Sequence, residues 1–183
     1  NIDFQNYSIV MYHPVTTEVN RLAHNVSEFV DALIETNRKY VVIYPNNDEG
    51  SNIILEEYKR LVGNPNFKIY PSIRFEYFLT LLKYSEFIIG NSSAGIREAE
   101  IYGVPAIDIG NRQKNRYNKN RDSIIHANDS KVEIINAIKR TDNLKINKSE
   151  TFGDGQSDER FIEILLDERI WSLDIQKNFT DIK

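Results

Sequence analysis

Apolar residues recur along this chain in two rhythms that alternate. Short, dense runs lie at Ser8–Tyr12, Tyr40–Tyr44, Phe67–Tyr70, Phe87–Ile89, Pro105–Ile109 and Ser123–Ala127. Runs of this length, rich in β-branched residues, read as strands buried on both faces. Between them, apolar residues fall three and four apart. Val19, Leu22, Val26, Phe29, Val30, Leu33 and Ile34 form one stripe, and Ile54, Leu55, Tyr58 and Leu61 a second. Phe75, Phe78, Leu79 and Leu82 form a third. Such spacing puts the side chains on one face of a helix. A short helix is expected after Ser93, another over Ser130–Arg140 with Val132, Ile135 and Ile138 inward, and a last one carrying Phe161, Ile162, Ile164, Leu165 and Ile170. Thr16 or Thr17 is expected to cap the first helix and Ser51 the second. Residues 141–156 are polar and irregular.

Strand and helix patterns alternate about six times with short connections, which predicts an α/β fold: a three-layer parallel sheet with helices on both faces. No internal repeat, low-complexity tract or long linker divides the chain, so residues 1–183 are expected to form a single domain. In such sheets ligands bind outside the carboxyl ends of the strands, near the point where the strand order reverses. His13, the Asn46–Gly50 loop, the turn at Ser72, Ser92 with Ser93, and the loop carrying Arg112 all fall at such ends. The convergence of five polar loops on one edge says more than any one of them.

The stretch Phe87–Pro105 is the densest in candidate chemistry. A buried strand leads through Gly90-Asn91-Ser92-Ser93-Ala94-Gly95 into a helix that Gly103 stops. Gly90 and Gly95 permit sharp turns and close approach. Asn91, Ser92 and Ser93 offer amide and hydroxyl groups where a helix begins, beside backbone N–H groups without internal partners. Together these make a place for a phosphate, although Ser and Asn before a helix also serve as ordinary caps.

Composition narrows the possibilities. The 183 residues are 40% apolar and 11% aromatic, as in an ordinary globular protein. A net charge of −4 argues against general nucleic-acid binding, which needs a basic face. Cysteine is absent, which removes disulfides, thiolate nucleophiles and Cys-based zinc sites. No apolar run approaches membrane-spanning length and no signal peptide opens the chain, so a cytoplasmic protein is expected. The chain lacks an initiator Met and opens directly into strand-like sequence, as a fragment of a longer protein would.

The three histidines, His13, His24 and His126, share no ligand spacing, so no metal is expected, and no cofactor is called for. His24 lies on the polar side of its helix, and His126 ends a strand where backbone groups can satisfy it. His13 either makes a structural hydrogen bond or faces a phosphate. The loop Gly110–Arg121 holds five basic residues and is either a solvated charge run or an anion clamp. Arg112, nearest the strand, is the best placed for a bidentate grip on a diphosphate. Glu98 could accept both hydroxyls of a ribose or lie exposed on its helix. Phe78 could stack a base or fill an apolar helix face.

In combination these motifs resemble the carboxyl-terminal half of UDP-N-acetylglucosamine 2-epimerases, especially the hydrolysing kind of sialic-acid pathways. The resemblance is carried by Gly90–Glu98, Gly103-Val104-Pro105 and Ile109–Arg116, with further blocks at His13–Glu18 and Phe152–Gly155. It runs in order from about residue 8 to 167. It implies one Rossmann-like half of a two-domain, glycosyltransferase-B-type fold, with residues 168–183 as a tail that crosses to the missing amino-terminal half. Trp171, Ile175 and Phe179 would then be partly exposed. The resemblance assigns Ser92, Ser93 and Arg112 to the diphosphate and Glu98 to the ribose. It places Phe78 against the uracil, Gly95 in the binding turn, and His13, protonated, against the diphosphate and sugar. The implied ligands are UDP and a UDP-N-acetyl sugar, and the full-length protein is expected to be a homo-oligomer. The implied reaction eliminates UDP to a glycal and then hydrates it with inversion at carbon 2. The acid and base carboxylates belong to the half that is missing, so the chain alone is expected to bind UDP without turnover. Two alternatives remain: the carboxyl-terminal domain of a UDP-sugar glycosyltransferase, and a non-catalytic nucleotide-binding domain.

Overall fold

The structure is a computed structural model that describes residues 3–118, 121–142, 144, 146–173 and 176. Six strands form one all-parallel sheet: β1 (Ser8–Met11), β2 (Tyr40–Ile43), β3 (Phe67–Tyr70), β4 (Ile88–Gly90), β5 (Ala106–Ile109) and β6 (Ile124–Ala127). Their order across the sheet is β3-β2-β1-β4-β5-β6. The chain first winds outward through β2 and β3, then returns to the other side of β1 and winds outward again. The order therefore reverses between β1 and β4, and the ladder there pairs Ile9 with Ile88, Val10 with Ile89 and Met11 with Gly90.

The strand side chains alternate between two apolar layers. Val10, Tyr40, Val42, Ile89, Ile107, Ile109 and Ile125 enter one cluster. Ile9, Val41, Ile43, Ile88, Ala106 and Ile124 enter the other. This two-sided burial is why the strand runs read as continuously apolar. Helices α1 (Val19–Thr36), α2 (Ser51–Tyr58) and α6 (Lys131–Thr141) serve the first layer, with Leu22, Val26, Phe29, Val30, Leu33, Ile54, Ile134 and Ile138 buried there. Helices α3 (Phe75–Lys83), α4 (Ser93–Ile96) and α5 (Glu98–Tyr102) serve the second through Phe78, Leu82, Ala94, Ile96 and Ala99. Burying the Val, Leu, Ile and Phe side chains among these contributes roughly 1.5–3 kcal/mol each.

Several local expectations differ from what forms. Thr16 and Thr17 do not cap α1; they lie in a 3-10 turn, Thr16–Glu18, that leads into it. Ser51 is the first residue of α2, with Gly50 in the cap position. In α6 it is Ile134, Ala137 and Ile138 that are buried, while Val132 is 66% exposed. A stripe one residue out of phase fits the sequence equally well, and only the docking of α6 beside α1 selects the phase. The helix after Ser93 breaks at Arg97 into α4 and α5, of four and five residues.

The contacts divide the chain into two compact units, residues 1–149 and 150–183. The second unit holds α7 (Ser157–Leu166) and α8 (Glu168–Trp171). The Asp167 side chain caps α8 by accepting from the Arg169 N–H, and the Trp171 indole donates to the Leu165 carbonyl at 2.9 Å. Phe161, Ile162, Ile164, Leu165, Leu166 and Trp171 are exposed. Ile175 and Phe179 lie outside the described residues. No helix among the described residues is long and apolar enough to cross a membrane.

Candidate functional site

The sheet register sets the height of the site. Met11, Gly90, Asp108 and His126 stand in one row across β1, β4, β5 and β6. The residues that follow Met11 and Gly90, at the reversal of strand order, are His13 and the Asn91-Ser92-Ser93 turn. Gly90 makes their approach possible. Its φ is +138°, and a Cβ there would stand 2.0 Å from the Met11 carbonyl oxygen. No L side chain fits that geometry.

His13 is held at both its main chain and its ring. Its N–H donates to Asn91 Oδ1 at 2.7 Å, and its carbonyl accepts from Asn91 Nδ2 at 2.8 Å. Its Nδ1 accepts from the Asn46 main-chain N–H at 3.1 Å. An amide N–H can only donate, so Nδ1 carries no proton and the neutral ring bears its hydrogen on Nε2. Burial, and then the nearby Arg112 guanidinium, push the His13 pKa down to about 4, against smaller opposing contributions from Asp48 and Asn46. In the unliganded site His13 is a neutral hydrogen-bond donor, because burial, and after it the cation that would share a phosphate with it, disfavours its proton.

Arg112 reaches over the same turn, and its Nη1 donates to the Asn91 carbonyl at 3.0 Å. The buried Gln113 donates to that carbonyl as well, at 2.7 Å. Among the described residues no carboxylate lies within ion-pair distance of Arg112. Burial, followed by repulsion from Arg116, lowers its pKa, while Asp48 opposes the shift. A half-buried guanidinium that bonds only to a carbonyl is poised for an anion.

Ser92 and Ser93 are half-buried on the turn, and the Ser92 hydroxyl accepts from the Ala94 N–H at 3.3 Å. With α4 only four residues long, the helix-dipole contribution expected from the sequence is small. Glu98 opens α5, and its Oε2 is shielded from solvent with no donor among the described residues.

Two residues that the resemblance places at the ligand, Phe78 and Gly95, are buried in this structure. Phe78 is 6% exposed and packs in the second apolar layer, while Phe75 and Tyr77 are the exposed rings of α3. Gly95 is buried against β4 and β5, where a Cβ would meet Ala106 Cβ at 3.4 Å and Ile88 Cγ2 at 3.6 Å. Both distances are ordinary van der Waals contacts. His24 is exposed. The Nδ1 of His126 lies 3.6 Å from Asp108 Oδ2.

Other polar groups of this edge escaped sequence reasoning. Asp108 is buried, accepts from the Tyr117 hydroxyl at 2.8 Å, and has its pKa raised by desolvation. The Tyr12 hydroxyl donates to Asp129 at 2.8 Å, linking the ends of β1 and β6. A lone acid in the apolar run Ala106–Ile109 was a signal for Asp108; Asn46 opens a loop already expected at this edge, and nothing local singled out Gln113. Among the described residues no group of three or more His, Asp or Glu side chains gathers as a metal site.

This arrangement defines a class: a Rossmann-like α/β domain with a polar, partly cationic edge at its strand-order switch. The chain belongs to the UDP-N-acetylglucosamine 2-epimerase family, whose model matches residues 1–166. It is 43% identical over 185 aligned positions to a UDP-N-acetylglucosamine 2-epimerase of Neisseria meningitidis serogroup B, covering 99% of this chain and 48% of that relative. A hydrolysing UDP-N,N'-diacetylbacillosamine 2-epimerase of Legionella pneumophila is 28% identical over 158 positions, covering 86% of this chain and 41% of the relative. Among solved structures, a UDP-GlcNAc 2-epimerase of Neisseria meningitidis bound to UDP-GlcNAc superposes with a TM-score of 0.71 at 14% identity. That superposition covers 91% of this chain and 46% of the other, and shows the shared fold. The chain spans about half the length of the curated relatives it matches.

Proposed function

We propose that this chain is the UDP-binding half of a hydrolysing UDP-N-acetylglucosamine 2-epimerase, which releases N-acetylmannosamine and UDP through a glycal. The observation that carries this is the half-buried Arg112 guanidinium, held against the serine turn at the β1/β4 switch with no carboxylate partner among the described residues. Arg112, the Ser92 and Ser93 hydroxyls and the Nε2–H of His13 are the donors for a diphosphate. They act where charge develops as the sugar C1–O bond breaks. Glu98, with an unpartnered Oε2, is the acceptor for the ribose hydroxyls.

In the reaction proposed, a carboxylate of the absent half removes the proton from carbon 2. The electron pair forms the C1=C2 bond, and UDP leaves with the C1–O pair. Water then returns a proton to carbon 2 on the opposite face and hydroxide to carbon 1. His13 does not supply the carbon-2 base: it presents a hydrogen, not a lone pair, through Nε2. As the diphosphate binds, its charge offsets that of Arg112 and raises the His13 pKa, so the imidazole can follow the growing charge on the leaving group. A cytoplasmic, homo-oligomeric full-length protein belongs to the same proposal.

Calorimetric titration of the 183-residue chain tests it. UDP is expected to bind more tightly than UMP, and UMP more tightly than uridine. Ser92→Ala and Arg112→Ala are each expected to weaken UDP at least tenfold, with uridine unaffected. Equal affinity for all three ligands, or variants that bind UDP like the parent, would overturn the diphosphate assignment. Release of N-acetylmannosamine by the chain alone would overturn its inactivity.

A further inference from the structure

Asn91 is 1% exposed, yet it is the most connected polar residue of the site. Its N–H donates to the Met11 carbonyl at 3.1 Å. Its side-chain amide closes a two-way bond with the main chain of His13, at 2.7 and 2.8 Å. Its own carbonyl receives both Arg112 Nη1 and Gln113 Nε2. The orientation of the amide is forced, since the peptide N–H of His13 can only donate and its C=O can only accept.

The geometry has a simple meaning. The residue pairs of the β1–β4 ladder end where Met11 faces Gly90. An Asn side chain carries the same donor and acceptor as a peptide group. Asn91 therefore supplies one further rung and extends the ladder to His13. With the main chain of His13 pinned, its ring is carried to the Asn46 N–H and Nδ1 becomes an acceptor. The charged groups that act on the ring are Arg112 and Asp48.

We infer that Asn91 is a positioning residue: its amide, used as a rung between β1 and β4, sets His13 as an Nε2–H donor, and its carbonyl sets Arg112 over the same turn. Asn91 belongs by its place in the motif to the groups offered to a phosphate; in the structure its amide turns inward to His13. This inference rests on the diphosphate assignment above for its purpose, but its geometry can be read without any ligand.

The test is nitrogen-15 NMR of the histidine rings in the whole 183-residue chain, in the parent and in Asn91→Ala and Asn91→Ser, neither of which changes charge. UDP affinity is measured alongside. In the parent, His13 is expected as the Nε2–H tautomer, titrating well below an ordinary histidine. In Asn91→Ala the freed main chain lets the ring leave the Asn46 N–H. The His13 resonances should move to mixed tautomers, the titration midpoint should rise towards 6.5, and the UDP dissociation constant should increase at least tenfold. Asn91→Ser, too short to reach both peptide groups, should change both readouts in the same direction and by less. A purely structural Asn91 would lower thermal stability and leave the His13 tautomer, midpoint and UDP affinity in place, which overturns the inference. If neither variant folds, the parent decides: a proton on Nδ1, or a midpoint at or above 6.5, overturns it. A parent that binds no UDP sinks the diphosphate assignment instead, and the ring spectra still report whether Asn91 holds His13.

Discussion

The Glu100 carboxylate and the Arg121 guanidinium meet at 2.5 Å with side chains only 12% and 17% exposed. This pair pins the far end of the loop that carries Arg112 to α5, and the Glu100 carbonyl accepts from the Ser149 N–H on the same side. Breaking a largely buried pair by removing one partner leaves the other charge poorly solvated. Glu100→Gln is therefore expected to cost about 1–3 kcal/mol in urea unfolding. Amide exchange across residues 111–118 should accelerate by more than the global loss of stability explains. Unchanged exchange there would mean that the pair does not hold the loop.

Gly90 and Gly95 belong to the same motif but should respond differently. Gly90→Ala forces a methyl into the Met11 carbonyl at a φ of +138°. The cost is expected to exceed about 4 kcal/mol, enough to prevent folding. Gly95→Ala meets only ordinary contacts, and φ there is not positive. Its melting temperature should change by a few degrees at most, and UDP affinity should stay within twofold. A large loss of UDP affinity in a stable Gly95→Ala variant would return Gly95 to the ligand.

Phe78 separates packing from base stacking. Its ring is buried with Leu82 and Ile96. Phe78→Ala is expected to destabilise the fold by about 3–5 kcal/mol, the range for a buried Phe, and Phe78→Leu by much less. Phe78→Leu should also keep UDP affinity within about threefold. A stable Phe78→Leu variant that loses most of its UDP affinity would show that the ring reaches the uracil after all.

His13 should leave a signature in the pH dependence of stability. Its pKa in the folded chain is about 4, against about 6.5 in an unfolded one. Between those values the unfolded state binds the proton and the folded state does not, so acid favours unfolding. Below both values the penalty is constant. The parent is therefore expected to lose roughly 3 kcal/mol relative to His13→Asn as the pH falls from 7 to 4. Denaturant unfolding of both proteins at matched pH values measures the difference and cancels the carboxylates common to both. Parallel pH profiles would show that the histidine is not held neutral.

Much of the fold was legible because strands buried on both faces leave a pattern that survives without neighbours. All six strands sit where the apolar runs lie, and α1 follows its stripe. The periods of two and 3.6 are set by local backbone geometry, so a single chain displays them. The polar turn after β4 was legible for a related reason: Gly90 and Ser92 are demanded by backbone conformation and capping at that spot. The sequence also placed His13 and Arg112 at strand ends, which the parallel topology then gathers on one edge.

What only the tertiary structure decided is which way each polar group points. Nothing in the motif Gly90–Glu98 says that the Asn91 amide faces His13 and not a ligand, because that depends on β1 lying beside β4. The charge state of His13 depends on burial and on Arg112, 99 positions along the chain. Phe78 and Val132 show the same limit: a helical stripe names candidates for burial, and the docking of the helix chooses among them. Hydrophobic period is a property of the local chain, whereas the partner of a buried polar atom is a property of whatever the fold brings to it. The sequence alone therefore determined the layers and the edge where the polar loops gather. The fold decided which residues of that edge are free to meet one.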